Sequence, residues 1–220
     1  MLFSGEAVRA NIRNRDGKRV FYLGKGDQLT SDARDFLARE RIEILPAESA
    51  KPERYRLLSG GFLEEKPEHM THLSGDVLVE KIHPRIAFRG AVDTLEAEIL
   101  LCQLEIPHLQ KALDEVLQLA RHLLRCEVLG EPAKETTLGG LDTMALRAHS
   151  HRPQDFYGQP HFMPSVTDGR AVLLLNRLRT LVRHTERKAV AALPDRMDIL
   201  QALNRMSSYL YILMIREKAK

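Results

Sequence analysis

At 220 residues the chain is long enough for one substantial hydrophobic core, with room for a small extra domain. Lys and Arg number 33 against 30 Asp and Glu, so the net charge of +3 supplies no global basic field for nucleic acid. No stretch approaches the roughly 18 apolar residues of a membrane span, no basic segment leads into an apolar one at the N-terminus, and the two cysteines, Cys102 and Cys126, lack close-spaced partners. A disulfide framework and a thiolate metal motif are thereby disfavoured, and a cytoplasmic location is expected.

Residues 1–46 read as a small α/β segment. Val20-Phe21-Tyr22-Leu23 predicts a strand, Gly24-Lys25-Gly26-Asp27 a turn, Thr30 the N-cap of a helix over Ser31–Arg39, and Ile42-Glu43-Ile44-Leu45 a second strand. Residues 47–67, polar and carrying Pro52 and Gly60-Gly61, read as a linker or mobile loop.

From 68 onward the pattern predicts a helical bundle of about five helices. Ala87, Ala91, Leu95, Ile99 and Cys102 recur near one face of a helix over 86–105. A second helix over 107–127 carries Leu109, Leu113, Val116, Leu117, Ala120 and Leu123-Leu124 at three- and four-residue steps. A short third one follows over 141–149. His149, His151 and His161, spread around Pro153, Gly158 and Pro160, fit no helical i,i+4 pair, and no metal site is expected.

The last fifty residues predict two long helices broken by Pro194. In the first, Leu174, Leu178, Leu181, Val182 and Ala189 make a core face, while Arg179, Arg183 and Arg187, with Glu186, make a charged stripe into which Leu175 and Val190 also fall. Such a stripe is either a solvated face with i,i+4 pairs or a set of planar forks for phosphate. The second helix is apolar nearly all round from Leu210 to Ile215, yet Asn204, Ser207, Ser208 and Tyr211 fall at i, i+3, i+4 and i+7. A buried polar stripe needs partners, because each unpaired group costs roughly 1–3 kcal/mol. A neighbouring helix or a bound polar ligand could supply them.

These two helices carry a resemblance. Arg179-x-x-x-Arg183-His184-Thr185-Glu186-Arg187 and Ala202-Leu203-Asn204-Arg205-Met206-Ser207-Ser208-Tyr209-Leu210 are similar to the paired signature of the ATP:cob(I)alamin adenosyltransferases of the propanediol-utilisation type. Its ethanolamine-utilisation branch is the closer match, through Thr71-His72-Leu73, Phe88-Arg89-Gly90, Asp168-Gly169 and the run Asp198 to Arg205. A Cys cluster found in that branch has no counterpart here, since Ser59-Gly60-Gly61-Phe62 stands in its place.

The resemblance implies an all-α bundle with a small N-terminal α/β appendage, transferring the 5′-deoxyadenosyl group of ATP to cob(I)alamin in ethanolamine utilisation. It implies ATP and cobalamin as substrates, Mg²⁺ as cofactor, no other metal, and a homotrimer. Lys81, Arg183, Glu186, Arg187, Asn204 and Thr71 become the expected ATP-binding residues. Arg179, Arg183 and Asp93 become the expected catalytic ones, Asp93 meeting Arg179 of a neighbouring subunit. His161 or Phe162 is expected against the lower face of the corrin. Lys81 as a plain surface Lys, Asp93 as an acid favoured by a helix start, and Thr71 in an ordinary turn are the structural alternatives. A corrinoid reductase or a cobalamin-dependent enzyme is an expected partner, and a bacterial microcompartment an expected place of association. A non-catalytic corrinoid carrier and a helical interaction module are the rival readings; nucleic acid and membrane are not expected as partners.

Overall fold

A computed structural model describes residues 1–15, 17–47 and 54–220. The chain divides into two compact units, Met1–His83 with Val128–Gly130, and Pro84–Glu127 with Glu131–Lys220.

The first unit runs β1 (Leu2–Phe3), α1 (Gly5–Ala10), β2 (Arg13–Arg15), β3 (Lys18–Leu23), β4 (Gln28–Leu29), α2 (Ser31–Arg39), β5 (Glu43–Pro46), β6 (Tyr55–Leu57), β7 (Phe62–Leu63), β8 (Met70–Ser74) and β9 (Val77–Glu80). Strands β3 and β5 are parallel, joined through α2, and β2 lies antiparallel on the other side of β3. Val8, Phe21, Ala33, Phe36 and Leu37 fill the core between helices and strands. Thr30 stands at the N-cap of α2 as the sequence predicts, but its hydroxyl makes no cap bond and donates instead to the Asp32 carboxylate, while its backbone N–H donates to the Phe3 carbonyl at 3.0 Å. The amide thus fastens the start of α2 to β1.

The expected linker differs from the structure. Residues 48–53, Pro52 among them, lie outside the described residues. Beyond them β6 and β7 pair antiparallel and join β8 and β9 in a sheet ordered β7-β6-β9-β8. The first bundle helix begins at Pro84, close to the expected 86, after the strands over 70–80, and Thr71 is a strand residue opposite Val79. The physical reason is a hairpin: Gly75 takes φ +54° at the turn, and Leu73, Leu78 and Val79 are buried, the consecutive Leu78 and Val79 on opposite faces of the sheet.

The second unit holds α3 (Pro84–Glu105), α4 (Gln110–Leu129, whose last residues belong to the first unit), α5 (Thr143–His151), α6 (Pro153–Tyr157), α7 (Gly169–Ala192) and α8 (Met197–Lys218). Helix α7 packs against both α3 and α8, and α5 packs on α8. One core runs through them, including the fully buried Leu95, Ile99, Leu113, Leu123, Leu178 and Val182. Each such side chain contributes about 1.5–3 kcal/mol relative to exposure. Leu175 is 0% exposed and belongs to this core rather than to the charged stripe, because it lies seven residues, two helical turns, before Val182. Val190 remains on the exposed side, 53% accessible.

Two polar networks hold the helices in place. Glu127, with a side chain 0% exposed, accepts from Arg85 Nε at 2.5 Å and Arg89 Nε at 2.7 Å, which ties α4 to α3. Asp198, in the first turn of α8, accepts from Arg196 Nη2 at 2.8 Å and from the Ala133 N–H at 2.7 Å, while Arg196 also donates to the Glu131 carbonyl at 2.7 Å. The Arg196 guanidinium holds the Asp198 carboxyl far below the usual carboxylate range, against the opposing effect of burial, with the Ala133 amide assisting. A depressed carboxylate stabilises the fold above its unfolded pKa of about 3.9 and loses that contribution as pH falls towards the folded value. Asp198→Asn should therefore melt below wild type at pH 6–7, and the gap should close steadily between about pH 4 and pH 2 in thermal melts.

Candidate functional site

The polar stripe of α8 meets the Arg stripe of α7 in a cleft of about 340 Å³, lined by Ser150, His151, His161, Arg179, Arg183, Asn204, Ser207, Ser208 and Tyr211. That volume is at the lower end of the roughly 300–1,000 Å³ of ligand pockets. Helical spacing explains the wall: Arg179 and Arg183 are one turn apart on α7, and Asn204, Ser207, Ser208 and Tyr211 repeat along one side of α8.

The electrostatics of the wall are one-sided. Arg179 donates through Nε and Nη2 to Asn176 Oδ1 at 3.1 and 2.8 Å, and among the described residues neither Arg179 nor Arg183 has a carboxylate within 4 Å. Burial pushes the Arg179 guanidinium below its ordinary pKa, and the like charge of Arg183 adds to the effect. Two neighbouring cations without a counter-charge are relieved by an anion, and the planar fork of Arg suits phosphate or carboxylate oxygens. At the side of the cleft Asn204 Nδ2 donates to Glu186 Oε1 at 3.1 Å, which holds the Glu186 carboxylate of α7 against α8.

The opposite end is aromatic. His161 Nε2 lies 3.1 Å from the His151 carbonyl, which can only accept, so this nitrogen carries the proton. Its Nδ1 then accepts from the Tyr211 hydroxyl at 3.1 Å, and that hydroxyl in turn accepts from the Phe162 N–H at 3.3 Å. The rings of His161 and Phe162 stack with that of Tyr211 at 5.7 and 6.0 Å between centroids. Tyr211 is the anchor that brings this loop to α8.

Of the residues expected from the sequence, Arg179, Arg183, Asn204 and His161 line the cleft, and Glu186 bonds to Asn204. Phe162 is half-buried behind it against Tyr211. Arg187 is exposed further along α7 and does not line the cleft, and Asp93 is exposed on α3 with no ion pair among the described residues. Thr71 and the exposed Lys81 belong to the first unit, Thr71 in β8 and Lys81 just after β9. Ser150 and His151 join the lining without any local signal, since α5 reaches the site only through its packing on α8. Among the described residues no three His, Cys, Asp or Glu side chains converge in metal-binding geometry.

Known proteins share this arrangement of elements. Residues 62–217 match the family model described as cobalamin adenosyltransferase. The corrinoid adenosyltransferase EutT of Salmonella typhimurium is 30% identical, over 97% of this chain and 91% of that protein. EutT of Escherichia coli is 36% identical over the same shares. A solved structure of a variant PduO-type ATP:corrinoid adenosyltransferase from Lactobacillus reuteri, complexed with cobalamin and ATP, covers 67% of this chain and 87% of that one at 22% identity and a TM-score of 0.52. The last likeness speaks to the fold alone. With the match spanning both stripe-bearing helices and most of the chain, the chain belongs to the cobalamin adenosyltransferase family.

Proposed function

We propose that this enzyme transfers the 5′-deoxyadenosyl group of ATP to cob(I)alamin, releasing triphosphate, and serves ethanolamine utilisation in the cytoplasm. The observation that carries this reading is the pair Arg179 and Arg183, without a carboxylate partner among the described residues and facing the polar stripe of α8. In the reaction the cobalt electron pair forms the bond to C5′ while the C5′–O bond breaks and its electrons leave with the triphosphate. Cob(I)alamin needs no activation by a Ser, Cys or general base. The protein has to align the partners and stabilise the charge that gathers on the leaving group.

Arg183 and Arg179 hold phosphate oxygens in this reading, and Arg187, Thr71 and Lys81 remain part of the proposed ATP set. Glu186 is a hard oxygen donor on the same side of the cleft as Asn204, which fits a Mg²⁺ carried in on the triphosphate, since that ion commonly takes one or two protein ligands and the rest from phosphate and water. When bound, the ion neutralises part of the leaving-group charge. His161 and Phe162 face the corrin: Phe162 is apolar, and both His161 nitrogens are engaged by protein, so neither offers the cobalt a free lone pair. An anaerobic assay with ATP and chemically reduced cobalamin should give adenosylcobalamin with Mg²⁺ and none without it. A protein that binds cobalamin but forms no such product would be a carrier instead.

The same reading makes the enzyme a homotrimer. Helix α3 exposes Leu100, Leu101 and Leu104 at 45, 56 and 80%, on the side that also carries Asp93 and Ala97. Such a stripe suits burial against another copy, with Asp93 reaching Arg179 of the neighbour. An exposed pair would be worth about 0–1 kcal/mol, whereas removing one partner of a buried pair costs about 3–5 kcal/mol. Asp93→Asn and Arg179→Ala should each damage activity, and the double variant should lose much less than the sum. Additive losses, or a dilute monomer with full activity per chain, would show that the site is not shared. A corrinoid reductase or a cobalamin-dependent enzyme, within a microcompartment, is the partner this reading leads us to seek.

A further inference from the structure

Arg205 follows Asn204 on α8, but the two side chains have opposite surroundings. Asn204 is exposed at the cleft, whereas Arg205 is only 6% accessible. A buried guanidinium is normally matched by a carboxylate, yet among the described residues Arg205 has none within 4 Å, and its Nε is buried without a hydrogen-bond partner. Burial pushes its pKa down, and the like charge of Arg147 does the same, while Glu186 opposes them. A Met or Leu would fill this volume without the desolvation penalty, so the charge is not explained by packing.

What Arg205 does bind is the side-chain oxygen of its neighbour. Its Nη1 donates to Asn204 Oδ1 at 2.7 Å, and Asn204 Nδ2 donates to Glu186 Oε1 at 3.1 Å. An Asn amide can turn over with almost no change of shape, exchanging oxygen for nitrogen. Here the turned-over amide would set N–H against N–H at Arg205 and oxygen against carboxylate at Glu186. The donor from Arg205 therefore selects one orientation, and the chain Arg205, Asn204, Glu186 links α8 to α7 beside Arg179 and Arg183.

We propose that Arg205 is a positioning residue of the nucleotide site: it locks the Asn204 amide in one orientation and, through it, the Glu186 carboxylate. This rests on the reading of the cleft as an ATP site. Arg205 touches no substrate and acts only through Asn204.

The test compares Arg205→Met, Arg205→Lys, Asn204→Ala and the double variant Arg205→Met/Asn204→Ala in titrations with MgATP and, separately, cobalamin, alongside thermal melts. Arg205→Met should melt at or above the wild-type temperature, since it removes an unpaired buried charge, while MgATP affinity falls about tenfold, the value of one charge-assisted hydrogen bond. Cobalamin affinity should stay within twofold. On the Asn204→Ala background the Arg205→Met change should have no further effect on MgATP. Arg205→Lys, which keeps the charge and can still donate to Oδ1, should recover most of the affinity, and it carries the comparison if Arg205→Met fails to fold. Unchanged MgATP affinity in Arg205→Met, or in its absence a tenfold loss in Arg205→Lys, would overturn the proposal, as would an equal loss with and without Asn204. If Asn204→Ala itself binds MgATP like wild type, the nucleotide reading of the cleft falls, and the positioning role with it.

Discussion

Arg183→Ala should lower kcat/KM by about 10²- to 10⁴-fold while leaving stability almost untouched. Arg183 is exposed on α7, has no carboxylate partner among the described residues, and lines the cleft. Surface substitutions of this kind shift stability by only about 0.5 kcal/mol either way. In the proposed complex the same side chain makes two charge-assisted bonds to phosphate oxygens, each worth about 1.5–3 kcal/mol, and 1.4 kcal/mol is tenfold in rate. Because charge builds on the triphosphate as the C5′–O bond breaks, kcat should fall as well as affinity. Arg183→Lys should lie between the two, having the charge without the fork. Steady-state kinetics beside a melting curve decide the matter. Normal turnover in Arg183→Ala would return the stripe to a solvated face.

The second large effect is on folding. Glu127→Ala should cost about 3–5 kcal/mol, a sizeable part of the 5–15 kcal/mol that holds a typical domain, because it leaves Arg85 and Arg89 without the buried carboxylate both of them donate to. Arg85 and Arg89 are 29 and 18% exposed against 0% for Glu127, so neither Arg can turn freely to water. Glu127→Gln keeps an acceptor oxygen and should lose less. Urea unfolding of the three proteins would show it, and a loss below about 1 kcal/mol in Glu127→Ala would mean that the Arg side chains find other partners or water.

Helices α3, α4 and α7 were legible because each shows a core face for five or six turns, and a 3.6-residue period accumulates over that length, while α8 was legible from its length and its nearly all-round apolar run. The cleft wall was legible for the same reason, since Asn204, Ser207, Ser208 and Tyr211 share one helix and one side of it. Strands β6 and β7, of three and two residues, are too short for any period to register, so the stretch over 55–63 passed for part of a linker. Ser150 and His151 reach the cleft by packing between helices distant in sequence, which no local pattern encodes. Arg205 was visible as a motif residue beside Asn204, but that it is buried, and that it holds the amide from behind, depends on which way α8 is turned. Glu127 carried no signal at all: a lone Glu near the end of an amphipathic helix reads as solvated until two arginines from α3 close on it.

Helix α8 leaves almost no face to water over its last turns, with Ile212, Leu213, Met214 and Ile215 at 0, 4, 0 and 0% accessible. Backbone amides there can exchange with deuterium only when the helical unit as a whole opens, whereas those at the exposed end of the helix, around Lys218 and Ala219, exchange through local fraying. A ligand bound to the native cleft slows global opening by the factor 1 + [L]/Kd and leaves local fraying at a distance unchanged. The slowest amides of α8 thus form an internal clock, readable by mass spectrometry from the deuterium they take up, whose rate records how fully the cleft is occupied.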